Sequence, residues 1–507
     1  MNVLPGVGVL TKLLPYIIPW LSSNHEASPY RTACLSLKSG LHLENTTITR
    51  VSYVVEGSTV STPGPCTANT GVVASVCRVE FTTRTSEASS VRAEAWLPDE
   101  WHGRFLGLGN GGLAGCIDYT GLNYGSKFHF ASVASNNGHD GDSGAAFSGN
   151  PEAINDFAFR AIHIEAVVGK QIVEEYYKQP QSKSYYMGCS TGGRQGTRAA
   201  LSFPEDFDGI IAGAPATNFN HLIYWSGITA NNLDAALIPL HTWRNIIAPE
   251  ILRQCDWKDG VLDGIITEPD NCDFKPESLL CRGTMTRHCL THSQIYALHK
   301  LYSPLFVDGE LVCPRFDPGA ERDAGSFALL SGEVPSYTVD WLRYAVLNDS
   351  TFDIRTLKEE HLRIMDKINP GAISTFSGDL AAFRDRGGKF ITYHGRMDPL
   401  IVSGNSKRYY DLVSQTMGDI DDFYRLFLVP GMGHCVGGPG ATRFGQHGAA
   451  LGVRNDREHN ILLALVDWVE NGVTPDTIIG VGDRGKTRRH CRYPHRSVWN
   501  GLQFVCQ

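Results

Sequence analysis

The sequence predicts an α/β fold in which a parallel sheet is interrupted by a large inserted domain. Apolar runs typical of buried strands alternate with stretches of helical periodicity, an order that indicates a parallel sheet covered by helices. The alternation breaks down after the apolar run at 209–215 and resumes only near residue 383. We therefore assign residues 24–218 and 381–507 to the sheet-containing domain, and residues 219–380 to a lid over the carboxyl ends of the strands.

Six apolar or alternating segments are candidates for strands of this sheet. In chain order they are residues 91–98, 104–109, the run that begins at residue 184, 209–215, 389–395 and 425–429. Shorter segments between residues 34 and 98 indicate a leading β-rich portion. Apolar residues at helical spacing predict a long helix over 154–177 and a closing helix over 456–471. Residues 131–141 are polar and rich in turn formers, which predicts a loop.

Composition and charge exclude some classes of function. The 507 residues are 42% hydrophobic and 19% charged, as in an ordinary globular protein. A net charge of −8 argues against a nucleic-acid or anionic-membrane partner. The apolar run 13–21 follows Lys12 and is too short to span a bilayer, so residues 1–23 are predicted to be a secretory signal peptide, with a poorly ordered extension as the alternative. The 13 cysteines, none in a Cys-x-x-Cys pair, independently favour an oxidising, extracellular location.

A glycine-bounded serine lies between a predicted strand and a predicted helix. In Gly188-x-Ser190-x-Gly192 the glycines allow a sharp turn that exposes the serine oxygen, as a nucleophile elbow requires. A glycine-rich turn that happens to contain serine is the alternative in a chain with 53 glycines. The partners of the serine decide between the two.

Two such partners follow later strands. Asp398 comes just after the strand 389–395, and His434 comes after the strand 425–429. Each lies at the carboxyl end of a strand, where open α/β sheets build their sites. The order Ser190, Asp398, His434 is that of α/β-hydrolases, which predicts an α/β-hydrolase fold with a large inserted lid domain. His139 is a competing histidine, but it precedes the serine and is expected to be structural or to shape the pocket.

Cysteines adjoin both the serine and the histidine. Cys189 directly precedes Ser190, and Cys435 directly follows His434. A working triad brings the serine oxygen to about 3 Å from the imidazole, and disulfides need Cα atoms roughly 4.4–6.8 Å apart. One geometry satisfies both demands, so we infer a Cys189–Cys435 bond.

Three motifs together resemble the tannase and feruloyl esterase family of serine esterases. They are Gly-Cys-Ser-Thr-Gly-Gly-Arg-Gln-Gly at 188–196, His-Gly-x-x-Asp at 394–398 and Gly-Met-Gly-His-Cys-x-Gly-Gly at 431–438. The resemblance implies hydrolysis of feruloyl and related hydroxycinnamoyl esters of plant cell-wall sugars, of gallate esters of tannins, or of small terephthalate esters. Segments 422–425 and 490–494 look more like the feruloyl esterase branch. We therefore expect a secreted feruloyl esterase whose substrate is a small aromatic ester or an esterified plant polysaccharide, with tannase as the alternative.

The same resemblance implies a disulfide map. It suggests five further pairs and leaves Cys313 free: Cys34–Cys77, Cys66–Cys116, Cys255–Cys272, Cys281–Cys289 and Cys491–Cys506.

The amide of Thr191 and a glycine amide at Gly111 or Gly112 are candidates for the oxyanion hole. A non-catalytic binding protein on a hydrolase scaffold and a peptidase are less favoured alternatives. Asn45 and Asn348 begin glycosylation tripeptides.

An acidic loop in the lid is a candidate cation site. Asp256, Asp259 and Asp263 lie within eight residues, and carboxylates this close repel one another unless a cation neutralises them. The loop resembles the calcium loop of the same family, which implies structural Ca²⁺ held by these three carboxylates and by the carbonyls of Val261 and Ile265. A solvated acidic turn is the alternative. Zinc on the neighbouring cysteines and histidines is disfavoured, because their spacing matches no zinc motif; these residues are Cys272, Cys281, His288, Cys289 and His292.

Overall fold

A computed structural model of the chain describes residues 29–62, 65–283, 287–446 and 453–507. The predicted signal peptide, residues 1–23, lies outside the described residues. No helix in the described ranges is long and apolar enough to cross a membrane.

A nine-stranded mixed sheet forms the centre of the molecule. Its strands are β1 (Thr46–Val54), β2 (Val76–Arg84), β3 (Ser90–Pro98), β4 (Arg104–Leu108), β5 (Phe130–Ser135), β6 (Lys183–Cys189), β7 (Gly209–Gly213), β8 (Lys389–Gly395) and β9 (Tyr424–Val429). The described residues also form four separate two-stranded ribbons: Thr59–Thr62 with Ala68–Gly71, Leu305–Val307 with Glu310–Cys313, Thr477–Val481 with Thr487–Cys491, and Ser497–Trp499 with Phe504–Cys506.

The sheet has a parallel part and an antiparallel part. Its order is β1-β2-β3-β5-β4-β6-β7-β8-β9, and every neighbouring pair from β5 to β9 is parallel. The leading strands β1, β2 and β3 run antiparallel to their neighbours. The predicted parallel α/β sheet is therefore confirmed, with an antiparallel extension that the leading β-rich segment supplies. Strands β6, β8 and β9 consequently end at the same edge.

Ten helices of eight or more residues lie within the described ranges. They are α1 (Pro29–Gly40), α2 (Tyr119–Lys127), α3 (Ala161–Tyr177), α4 (Thr191–Ser202), α5 (Phe219–Ala236), α6 (Ala248–Cys255), α7 (His292–Leu301), α8 (Glu359–Ile368), α9 (Gly404–Met417) and α10 (Ile461–Asn471). Shorter α-helical segments are Pro151–Asn155, Leu240–Thr242, Phe327–Leu330, Ser336–Asp340 and Ala381–Asp385. Helices α3 and α4 contribute buried side chains to the core on one face of the sheet, and α10 contributes to the core on the other face.

Three local predictions differ from the structure. The predicted loop at 131–141 is wrong in its first half, because Phe130–Ser135 forms the wholly buried strand β5. Its small side chains lack an obvious strand pattern, but β5 pairs with β3 on one side and β4 on the other. The helix expected over 154–177 contains one wider turn at Asp156–Arg160. The closing helix begins at Ile461, where the Asn460 side chain caps two backbone N–H groups.

The chain between β7 and β8 adds helices α5 to α8 and one short ribbon, and it contributes no described strand to the main sheet. This segment contains the whole of the lid predicted at 219–380. It supplies most of one large apolar cluster, to which α5 contributes along most of its length. The cluster also includes buried residues from outside the segment, namely Leu113, Phe147, Ala153, Ile154, Phe157, Ala158, Ile401 and Val402.

Candidate active site

Ser190 lies in the sharp turn between β6 and α4. Its backbone has φ 66° and ψ −121°, a conformation that L-residues rarely adopt. The turn is held on both sides: the Ser190 amide donates to the Gly213 carbonyl at 2.9 Å, and the Ser190 carbonyl accepts from the Arg194 amide at 3.0 Å. The surrounding structure therefore maintains the strained geometry that a nucleophile elbow needs.

The glycines of this turn are required by close contacts. A Cβ on Gly188 would lie 2.6 Å from the Tyr186 hydroxyl and 2.8 Å from the carbonyl of Gly192. A Cβ on Gly193 would lie 2.4 Å from the Gly213 carbonyl oxygen. Any side chain at these positions would push β6, α4 and β7 apart and so displace the serine.

Asp398 is fully buried in the turn after β8 and accepts bonds on both oxygens. Its Oδ1 accepts from the amides of Leu400 and Ile401, both at 2.9 Å. Its Oδ2 lies 2.7 Å from Nδ1 of His434. Burial opposes ionisation, yet the rings of His434 and His394 hold the pKa of the Asp398 carboxyl well below its usual range.

His434 follows β9 and is only partly exposed. Burial alone would lower the pKa of its imidazole, but the facing Asp398 carboxylate, and more weakly Asp323, raise that pKa above its ordinary value. Since Nδ1 faces a carboxylate, Nδ1 carries a proton and Nε2 is left as the basic nitrogen of the neutral ring. This is the tautomer that a general base toward a serine must have.

The six disulfides of the structure are the six pairs expected from the sequence. Cys189 and Cys435 are joined with their Cα atoms 6.0 Å apart, which fastens the serine turn to the histidine loop. The other five are Cys34–Cys77, Cys66–Cys116, Cys255–Cys272, Cys281–Cys289 and Cys491–Cys506. Cys313 is unpaired and fully buried, and burial raises the pKa of its thiol. Because Cys272, Cys281 and Cys289 are in disulfides, they are not free to bind zinc.

The start of α4 and the loop after β4 hold the candidate donors of the oxyanion hole. Thr191 is the first residue of α4, so its amide has no carbonyl partner within the helix. The Thr191 hydroxyl donates to the Gly112 carbonyl at 2.7 Å, which ties the loop after β4 to the start of α4. The Asn110 amide is already used, because it donates to Gln195 at 2.9 Å. Gly111 and Gly112, the next two residues of this loop, therefore remain the candidates for the second donor.

One cavity of about 520 Å³ connects these groups. Ser190, Thr191 and His434 line it together with the glycine loop after β4. The other walls are largely apolar, and several come from the segment between β7 and β8. These wall residues are Leu113, Ile117, Phe219, Leu222, Ile223, Tyr337, Leu400 and Ile401. The size suits a small organic group held with one end at the serine.

His139 is not among the residues that line this cavity. Its Nε2 lies 2.6 Å from the carbonyl of Leu113, which is a wall residue, and its ring packs against Phe147 and Phe157. Burial lowers the pKa of its imidazole. His139 thus supports the cavity wall from behind.

The acidic loop keeps its carboxylates folded back onto its own backbone. Asp256 accepts from the Gly264 amide at 3.0 Å, and Asp263 accepts from the Ile265 amide at 3.0 Å. Burial, together with the neighbouring carboxylates of Asp259 and Asp256, raises the pKa of Asp263. Across the described ranges, no three His, Cys, Asp or Glu side chains form a group that could hold a metal ion. The donor set contains only oxygen, which suits calcium, and calcium binding stays a prediction.

Two polar residues near the triad were not assigned from the sequence. Asp323, from the segment between β7 and β8, approaches the histidine loop so closely that a Cβ on Gly433 would lie 2.1 Å from its Oδ2. His394, the sixth residue of β8, lies 3.2 Å from Oδ2 of Asp398 through its Nε2. In the sequence, the only sign of a role for His394 was its place at the start of the His-Gly-x-x-Asp motif. No local sequence pattern distinguishes Asp323 from other aspartates.

Comparisons with known proteins agree with this geometry. The family model described as tannase and feruloyl esterase matches residues 74–505. A probable feruloyl esterase B-2 of Aspergillus terreus is 41% identical over 510 residues, which cover 96% of this chain and 96% of that protein. The crystal structure of feruloyl esterase B from Aspergillus oryzae has a TM-score of 0.92 at 38% identity, over 94% of this chain and 100% of that chain. Tannin acyl hydrolase from Aspergillus niger shares the fold, with a TM-score of 0.74 at 23% identity over 94% of each chain.

Proposed function

Since the chain belongs to the tannase and feruloyl esterase family and is a carboxylic ester hydrolase, we propose that it is a secreted feruloyl esterase that uses Ser190, His434 and Asp398 as its triad. Its substrates are hydroxycinnamoyl esters, either small or attached to plant cell-wall polysaccharides. The main support for the triad is the 2.7 Å contact between Nδ1 of His434 and Oδ2 of Asp398. Ser190, with its φ of 66°, lines the same cavity as His434.

The first half of the reaction forms an acyl-enzyme. Nε2 of His434 accepts the Ser190 proton while the serine oxygen attacks the ester carbonyl. Asp398 stabilises the imidazolium that results. The carbonyl oxygen becomes an oxyanion, which the amide of Thr191 and a glycine amide of the loop after β4 stabilise, by roughly 3 kcal/mol for each donor. The imidazolium then protonates the leaving alcohol as the carbon–oxygen bond breaks.

Water completes the cycle. His434 removes a proton from a water molecule, whose oxygen attacks the acyl carbonyl, and the same ring returns that proton to Ser190 as the carboxylic acid leaves. The disulfide between Cys189 and Cys435 holds the two reacting loops together throughout. Each step thus needs only the proposed triad, the backbone amides beside it and one water molecule.

The cavity supports an aromatic acid as the acyl part. Its walls include the aromatic side chains of Phe219 and Tyr337 and the aliphatic side chains of Leu222 and Ile223. The relative from Aspergillus terreus, at 41% identity, is named a feruloyl esterase. The tannin acyl hydrolase, at 23% identity, shows the fold alone. A hydroxycinnamate is therefore favoured over a gallate.

Calcium and secretion complete the proposal. The oxygen donors of Asp256, Asp259 and Asp263, with the carbonyls of Val261 and Ile265, would hold a structural calcium ion. Its charge would oppose the burial and the neighbouring carboxylates that raise the pKa of Asp263. Six disulfides support folding in an oxidising compartment. The two glycosylation acceptors, Asn45 and Asn348, are both exposed.

The test is release of free acid from methyl ferulate, methyl p-coumarate and methyl gallate, by the protein and by its Ser190→Ala variant. Turnover of the two cinnamates with little turnover of gallate, abolished in the variant, is the expected result. Preference for gallate would make the protein a tannase with the same mechanism. Equal rates for the two proteins would contradict the assignment of the serine.

A further inference from the structure

We propose that His394 is a positioning residue for the reaction, because its Nε2–H lies beside the same Asp398 oxygen that receives Nδ1–H of His434. The two histidines thus face one carboxylate oxygen. This inference rests on the triad proposed above, and it adds a fourth member that contacts neither substrate nor Ser190.

Both nitrogen atoms of the His394 ring have hydrogen-bond partners. The residue is fully buried, four positions before Asp398. Its Nε2 lies 2.8 Å from the carbonyl oxygen of Ile401 and 3.2 Å from Oδ2 of Asp398. Its Nδ1 lies 2.7 Å from the hydroxyl of Ser406. The ring therefore bridges the aspartate turn and the start of α9.

These neighbours determine the tautomer. A carbonyl oxygen and a carboxylate oxygen can only accept, so Nε2 of His394 must carry a hydrogen. The Ser406 hydroxyl can donate, so in a neutral ring it donates to Nδ1. Nε2–H then donates to the Ile401 carbonyl and lies beside Oδ2 of Asp398. This arrangement is fully satisfied without a positive charge on the ring.

The result is a carboxylate with three hydrogen-bond donors and a fourth N–H beside it. Oδ1 of Asp398 accepts from the amides of Leu400 and Ile401, Oδ2 accepts from His434, and Nε2 of His394 lies 3.2 Å from that Oδ2. A carboxylate held in this way cannot rotate without losing hydrogen bonds, so its Oδ2 stays aimed at His434. Because the positive end of the His394 N–H dipole lies near Oδ2, it also limits how strongly Oδ2 attracts the proton on His434.

The effect of His394 on the proton of His434 distinguishes a positioning role from a role in packing alone. Removal of Nε2–H would concentrate negative charge on the side of Oδ2 that faces His434, and so favour the protonated imidazole. The acid limb of the activity profile, which reports protonation of His434, would then move to higher pH. The other titratable groups with an electrostatic effect on this cluster are Asp323 and Tyr337, and neither is altered by a change at residue 394.

The experiment compares His394→Asn with His394→Gln in the full-length protein. The asparagine amide reaches only the position of Nδ1, whereas the glutamine amide can place an N–H near the position of Nε2. For His394→Asn we expect kcat to fall about tenfold or more with KM nearly unchanged, and the acid limb of kcat/KM to rise by about half a pH unit or more. His394→Gln should recover most of kcat and return the acid limb toward that of the wild type.

Two outcomes would overturn the proposal. One is kcat in His394→Asn within twofold of wild type with an unmoved acid limb. The other is a loss of kcat that leaves the acid limb in place and is equal in both variants, since that is the pattern of a packing defect. Thermal unfolding of both variants shows whether they are folded at the assay temperature.

A matched control and a reference variant complete the design. His163→Asn makes the same substitution at another histidine beside a carboxylate, where Nδ1 lies 2.8 Å from Asp206, and it should leave the profile unchanged. Ser190→Ala separates the two levels of inference. If Ser190→Ala keeps its activity, the proposed triad is wrong; if only the His394 variants behave as wild type, the triad stands and the role of His394 does not.

Discussion

Replacement of Asp398 by asparagine should reverse one hydrogen bond while preserving the shape of the side chain. Oδ1 of Asp398 accepts from two backbone amides, those of Leu400 and Ile401. An asparagine would keep its carbonyl oxygen at this position, because an NH₂ group there would face two donors. Its NH₂ group must then point toward Nδ1 of His434 and Nε2 of His394.

The loss follows from this forced orientation. With a donor opposite Nδ1, His434 must accept there and carry its proton on Nε2, where it can no longer accept the proton of Ser190. The imidazolium also loses the carboxylate that stabilises it. Loss of the correct tautomer in a serine–histidine–aspartate site costs about 10⁴-fold in kcat, which corresponds to about 5 kcal/mol of transition-state stabilisation.

The assay is the pH profile of kcat/KM for methyl ferulate, with free acid measured by chromatography. We expect Asp398→Asn to lower the plateau about 10⁴-fold. Since the Asp398 carboxylate raises the pKa of His434, its removal should also move the acid limb to lower pH. Asp366→Asn is the matched control, because it alters another aspartate–histidine pair, 3.0 Å from His221, whose two members do not line the cavity. A plateau within tenfold of wild type would refute the assignment of Asp398.

Three further predictions concern the disulfide between the serine and histidine loops, the ion pair of Asp270 with Arg396, and the calcium site. Alanine at both Cys189 and Cys435 should lower the free energy of unfolding by about 5 kcal/mol, since the bond spans 246 residues. It should also reduce kcat/KM more than tenfold because the serine and histidine loops separate; urea unfolding and ester kinetics measure these effects. Asp270→Asn should destabilise the fold by about 2 kcal/mol, because it removes the partner 2.8 Å from the buried Arg396; the figure is below that for a fully buried pair because the Asp270 side chain is 38% exposed. Chelation of calcium should lower the melting temperature of the wild type, and Asp263→Asn should weaken this response.

Each of these has its own check. Burial opposes ionisation of Asp270, but Arg396 and Lys407 lower its pKa to about 2. The stabilisation is therefore present above the unfolded-state pKa and is lost as pH falls toward about 2, so the Asp270→Asn difference should vanish in strong acid. For the disulfide, Cys281→Ala with Cys289→Ala removes a bridge that spans only 8 residues and should cost less stability. A melting temperature that ignores both chelator and added calcium would contradict the calcium proposal.

The side chains of the proposed triad could be selected from the sequence because each carries a local signal. Ser190 lies between glycines that a turn demands, while Asp398 and His434 each follow an apolar run long enough for a buried strand. The adjacent cysteines added a distance constraint between two parts of the chain. Local patterns of this kind survive in the sequence because the backbone geometry at each point depends mainly on neighbouring residues.

Strand β5 and the cavity walls could not be predicted in this way. Phe130–Ser135 is short and consists mostly of alanine and serine, and it is a strand because β3 and β4 supply hydrogen-bond partners on its two edges. Phe219 and Tyr337 become cavity walls only because the segment between β7 and β8 lies beside the serine. Such placement depends on contacts between residues far apart in the chain.

The sequence by itself therefore determined the fold class, the order of the reactive groups and the chemistry that they support. Only the tertiary structure decided which groups surround them: His394 on the far side of Asp398, Asp323 against the loop of His434, and the apolar walls of the cavity. The physical reason is that a hydrogen bond or an electrostatic effect depends on distances of a few ångströms between distant segments, and those distances exist only after the sheet and the segment above it have packed together.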